Sequence, residues 1–133
     1  MTAVSASNIP TAESLCRRQC ERGLDLLAAG KPTEAAASFR AAIAAGPEHC
    51  EAHIEAHHGL IRALRDAGQL EQSVAAALAL IALTPGDPVA HTALSISLQR
   101  AGHVPQAEAA AARARVLEWK IQLQSAPAED SLP

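Results

Sequence analysis

Ten residues of this chain, from 49 to 58, hold four histidines and a cysteine: His49, Cys50, His53, His57 and His58. His49, His53 and His57 recur every fourth residue, the spacing that aligns side chains on one face of a helix. Cys16 and Cys20 repeat that spacing earlier in the chain. Two thiolates and two imidazoles on neighbouring helices would suit a tetrahedral zinc ion. Yet there is no Cys-x-x-Cys pair, and a histidine on a helical face is ordinarily a packing residue. No metal or other cofactor is therefore expected. The rival reading is a metal- or redox-responsive protein using Cys16, Cys20, Cys50 and the His49–His58 cluster. Six histidines against a formal charge of -3 would also allow a pH-driven change of charge sign.

Catalytic signatures are missing. The chain has no phosphate-binding glycine loop, no nucleophile elbow and no His-Glu-x-x-His. Cys20 and His58 could be drawn as a thiol–imidazole pair, but nothing in the sequence orients the imidazole. No catalytic residue is assigned, and no enzyme is expected. The net negative charge gives no general attraction to phosphate. With one Trp, one Phe and no Tyr, there is no platform for stacking bases. Nucleic acid is thus not an expected partner. Nor is a membrane, because the apolar run from Ser73 to Pro85 falls short of the roughly 20 residues a span needs. An odd number of cysteines without an export signal fits reduced thiols in a cytoplasm, here taken as bacterial in type.

The elements that must position these residues are helices. Hydrophobic residues make up 49% of the chain, much of that alanine, which favours helices over sheets. Helices are expected over about 12–29, 33–45, 48–67, 71–83, 88–101 and 105–124, between a disordered leader (1–11) and a disordered tail (125–133). Gly30, Gly68 and Gly102 stand where a left-handed residue would end the first helix of each pair. Pro32, Pro88 and Pro105 stand in the first turn of the helices that follow. Asp87 is a good N-cap, and Thr33 is a candidate cap for the second helix. Short loops make neighbouring helices antiparallel. Gly68 and Gly102 are 34 residues apart and Gly30 and Gly68 are 38, so the first interval holds four extra residues. One helical turn is about that length, so the insertion, near 50–53, is expected to lengthen the third helix.

A period of 34 residues with sized positions resembles the tetratricopeptide repeat family. With each turn glycine at position 15, repeats cover about 16–49, 54–87 and 88–121 in a domain spanning 12–124. The first repeat matches best, with Gly23 at position 8, Ala35 at 20, Phe39 at 24, Ala42 at 27 and Pro47 at 32. The second has Ile61 at 8 and Ala77 at 24, which reads as an exchange of volume across one contact. The third has Ser95 and Ala111 there, and Trp119 where the family has proline. His57 and His91 fall at position 4, a packing position.

The resemblance implies an all-α fold of three helix-turn-helix repeats stacked as a short right-handed α-solenoid. It also implies a non-catalytic protein-interaction module whose concave groove, lined by first helices, holds a peptide or helix of another protein. The groove positions are Arg17, Cys20, Leu24, Leu27 and Ala28, then Glu55, His58, Arg62, Arg65 and Asp66, then Val89, Thr92, Ile96, Gln99 and Arg100. Leu24 and Ile96 would supply apolar contacts. Arg62, Arg65 and Arg100 would hold acidic side chains or a terminal carboxylate, unless Glu55 and Asp66 occupy them instead. Chaperone-binding members of the family clamp a C-terminal carboxylate with basic and Asn side chains. The matching residues here, Cys20, Leu24, Gly59, Val89 and Ala93, lack those donors. Finally, the last helix continues through Val116, Trp119 and Leu123 without a break. Either it curls back to cap the last repeat, or this apolar side joins a second copy in a homodimer.

Overall fold

A computed structural model describes residues 9–126. The described residues form six α-helices: α1 (Ala12–Ala28), α2 (Pro32–Ala45), α3 (Glu51–Asp66), α4 (Leu70–Leu83), α5 (Pro88–Arg100) and α6 (Val104–Ser125). Among the described residues there is no strand, and no helix is long and apolar enough to cross a membrane. The all-α repeat fold expected from the sequence is what forms. Most of the expected leader and tail, residues 1–8 and 127–133, lies outside the described residues.

The three turns inside the pairs are built alike, and the glycines are the reason. Gly30, Gly68 and Gly102 hold φ of 76°, 78° and 88°, a left-handed conformation that a β-carbon disfavours. At the first turn, Gly30 N–H donates to Leu27 O (3.0 Å) and Lys31 N–H to Leu26 O (2.9 Å). Gly68 and Gln69 make the same two bonds, to Arg65 O (3.0 Å) and Leu64 O (2.9 Å). Gly102 and His103 repeat them, to Gln99 O (3.1 Å) and Leu98 O (2.9 Å). This is the paired closure of a Schellman motif. The residue after each glycine is also the N-cap of the next helix.

Polar side chains cap only some of the helix starts. Asp87 caps α5, its Oδ1 accepting from Val89 N–H at 3.0 Å. Thr33 does not cap α2: Lys31 is the N-cap and Pro32 already occupies the first turn. Helix α1 begins at Ala12, where Thr11 and Ser14 form a reciprocal capping box, each side chain accepting the other's N–H at 3.0 Å.

The four-residue insertion divides between helix and loop. Helix α3 begins at Glu51, not 48, because Cys50 is extended (φ -81°, ψ 152°) and caps it, Sγ accepting from His53 N–H at 3.4 Å. His49 consequently sits in the preceding turn and does not share a helix with His53 and His57.

Consecutive helices pack against each other, and α3 also packs on both α1 and α5. The second helices, α2, α4 and α6, make no such backbone approach to one another. The stack therefore closes along its first helices and splays along its second ones. The closeness of α1 and α3 rests on Phe39, which is fully buried. Its ring lies against bare backbone on both sides: a β-carbon added at Gly23 would stand 2.7 Å from it, and one at Gly59 closer still. In the second repeat, Ile61 and Ala77 are both fully buried in one cluster, the expected exchange of volume. The third repeat has small residues at both of these positions, Ser95 and Ala111, and Ser95 donates its hydroxyl to Ala107 O at 2.7 Å.

Two substitutions test this packing. Phe39→Ala should cost about 3–5 kcal/mol, as large-to-small changes in a tight core do. Gly59→Ala should cost about 1–3 kcal/mol by overpacking, and less in a Phe39→Leu background where the ring is gone. Urea unfolding of the native chain, Phe39→Ala, Gly59→Ala, Phe39→Leu and the Gly59→Ala, Phe39→Leu pair measures these effects; additive losses in the pair would contradict the contact.

Candidate functional sites on the two faces of the stack

Five of the residues expected to form a groove meet on the side of the first helices. Leu24 and Leu27 of α1 meet Glu55, His58, Gly59 and Arg62 of α3 around a cavity of about 220 Å³. Leu24 is 47% exposed and Ile96, further along on α5, is 42% exposed, so both present apolar surface to solvent. Arg17, Glu55, Thr92, Gln99 and Arg100 are exposed, and Leu27, His58 and Arg65 are half-buried. Cys20 is the exception. It is 2% exposed and belongs to the core, sealed where α1 packs on α3, so it cannot touch a ligand in the groove. Gly59, at one of the clamp positions but not among the expected groove positions, also lines this cavity. Its signal in the sequence is a residue without a side chain in mid-helix, which usually marks close approach.

Charge in this groove is uneven. Arg62 pairs with Asp66 one turn away at 3.8 Å, and Arg17 with Glu13 at 3.9 Å, both on exposed surface. Among the described residues neither Arg65 nor Arg100 has a carboxylate within salt-bridge distance. Nη1 of Arg65 is buried without a hydrogen-bond partner. Burial pulls the Arg65 guanidinium below its ordinary range, Arg100 and Arg62 add to that, and Asp66 opposes it. Burial likewise lowers His58 in the same groove.

The other face opens where α2 and α4 splay apart. A cavity of about 440 Å³ lies there, walled by Ile43 of α2 and Leu83 of α4, with Glu48 of the preceding loop at its edge. His53 and His57 of α3 also line it. They are 4% and 7% exposed, and their Nε2 atoms share a hydrogen bond of 3.2 Å, one ring donating to the other. Both Nδ1 atoms are buried without partners. Burial, then the neighbouring His53 and His58, push His57 down to about 4. His91, at the equivalent place in the third repeat, instead donates from Nε2 to Pro85 O at 3.0 Å.

The expected tetrahedral cysteine–histidine cluster is not assembled. Among the described residues no three His, Cys, Asp or Glu side chains are placed to hold a metal ion. The ligands point apart: His53 and His57 line the splayed face, His58 lines the groove, and His49 stands in an exposed turn. Cys16 and Cys20 are buried in the core. Burial first, and then the adjacent Cys50, raise the Cys16 thiol to about 11, and burial raises Cys20 too. Protonated thiols sealed in a core are poor ligands and poor nucleophiles.

These environments have measurable consequences. In native protein only half-buried Cys50 should react promptly with a thiol reagent, with all three cysteines reacting in denaturant. Prompt reaction of three thiols would contradict the packing. His57 binds its proton less readily when folded than when unfolded, so its contribution is complete above about pH 6.5 and is lost as pH falls towards 4. The loss should be on the order of 3 kcal/mol. Urea midpoints across this range should fall for the native chain and fall less for His57→Gln; equal slopes would assign the acid sensitivity elsewhere.

Comparison with known proteins agrees with this geometry. No curated protein matches the chain. The family model described as Tetratricopeptide repeat matches residues 20–88, just over half of the 133 residues. The match ends where the third repeat begins, the unit whose Ser95, Ala111 and Trp119 depart most from the family's sized positions. On the repeated turns, the sized contacts and this match, the chain belongs to the tetratricopeptide repeat family.

Proposed function

We propose that the chain is a non-catalytic module that holds a short acidic segment of a partner protein in its concave groove. Tetratricopeptide repeats generally mediate protein–protein interaction and are typically non-catalytic. The observation that carries the acidic preference is the pair Arg65 and Arg100, without carboxylate partners among the described residues, with one buried N–H of Arg65 unsatisfied. A half-buried guanidinium beside a second one is relieved by an incoming carboxylate, and its planar fork fixes that carboxylate's orientation. Leu24 and Leu27 beside the 220 Å³ cavity give the segment an apolar anchor. Arg62 is already engaged by Asp66 and contributes less.

Partners captured by the native chain should be lost with Arg65→Glu or Arg100→Glu, while thermal stability is kept. Capture unchanged by both reversals would move the site off the groove.

The end of α6 supports a second contact, a homodimer. The helix continues unbroken to Ser125, and Leu117 is its last buried residue. Val116, Trp119 and Leu123 are 41%, 62% and 63% exposed. Their spacing of three and seven residues puts them on one stripe, which a second copy of the same helix would bury. Sedimentation should show a dimer that Trp119→Glu converts to monomer; a native monomer at high concentration would refute it.

A further inference from the structure

The splayed face carries an arrangement that groove binding does not use. His53 and His57 stand one turn apart on α3, both more than nine-tenths buried. Their ring centroids are 4.8 Å apart but their Nε2 atoms only 3.2 Å. The rings thus converge at their Nε2 corners. Two nitrogens bound at about 2.0–2.1 Å to one tetrahedral zinc ion must stand about 3.3 Å apart. The pair already has that separation, and the helix maintains it through the i,i+4 relation. Space for an ion and its water lies next to it, in the cavity of about 440 Å³ that both rings line. Glu48 lines the same cavity and brings a negative charge to it.

We propose that His53 and His57 form a binding site for a late first-row divalent cation such as zinc, ligated through both Nε2 atoms. Water in the cleft completes the coordination shell, with Glu48 as the balancing charge. Two imidazoles select zinc, copper or nickel over magnesium and calcium, which prefer oxygen. Binding exchanges the Nε2–H···Nε2 hydrogen bond for two metal–nitrogen bonds. One ring moves its proton from Nε2 to Nδ1, so the proton count is unchanged. Each Nδ1–H then lacks the acceptor that usually orients a metal-bound imidazole, which lowers affinity about 10–100-fold. With two protein ligands and no third in place among the described residues, the site is one for reversible occupancy and is independent of the groove.

The test is a titration of chelator-stripped full-length chain with zinc chloride, read by calorimetry and by ¹⁵N–¹H correlation of the imidazoles. One equivalent should bind, and both His53 and His57 should become Nδ1–H tautomers, where the metal-free pair has one of each kind. His57→Gln should weaken binding at least tenfold, Cys50→Ser should leave it unchanged, and magnesium should not compete. No binding, unmoved His53 and His57 signals, or binding that survives His57→Gln would each overturn the proposal. Should the variant fail to fold, the imidazole signals of the native protein decide the outcome by themselves.

Discussion

One aromatic ring sets the spacing on which this molecule depends. Phe39 fills the space that two absent β-carbons leave, at Gly23 on one helix and Gly59 on another. Because both sides of the ring touch backbone, α1 and α3 are drawn together more tightly than helices separated by ordinary side chains. The first helices of the repeats are then neighbours, and the second helices must diverge. The second repeat reaches the same end with its volumes reversed, Ile61 large and Ala77 small. The third uses small residues on both sides and recovers a hydrogen bond through Ser95. An alanine-rich chain with one phenylalanine can stack three helix pairs because its few large side chains meet surfaces with none.

That curvature separates two kinds of chemistry on a single helix. One side of α3 gives Glu55, His58 and Arg62 to the cavity beside Leu24 and Leu27. The other gives His53 and His57 to the cleft between α2 and α4. Glycine at position 59 serves both purposes, admitting Phe39 from one direction and deepening the groove in the other. The thiols that would have joined these histidines lie in the core, where burial holds Cys16 and Cys20 in the neutral form.

The scaffold is legible in the sequence because its causes are local. A left-handed glycine ends each first helix, prolines stand in the first turn of α2, α5 and α6, and intervals of 38 and 34 residues repeat the glycines. Leu24, Leu27, Glu55, His58 and Arg62, which that register places on one side, meet around one cavity. What cannot be read there depends on contacts between repeats or on cap geometry. Cys20 occupies a groove position by number yet is sealed by the close approach of α1 and α3. Helix α3 starts three residues later than its sequence suggests, because a cysteine cap carries little sequence signal. The pairing of Arg62 with Asp66, and the lack of such a partner for Arg65 among the described residues, depends on rotamers that spacing cannot supply.

The central claim is that a partner's acidic segment lies along the first helices, between Leu24 and Arg100. Amide and side-chain chemical-shift mapping with a short peptide, a leucine followed by acidic residues, tests it most directly. The account predicts shifts concentrated at Leu24, Gly59, Arg65 and Arg100 that weaken as salt is raised. Shifts confined to the face formed by α2 and α4, or binding indifferent to salt and to the peptide's acidic residues, would contradict it.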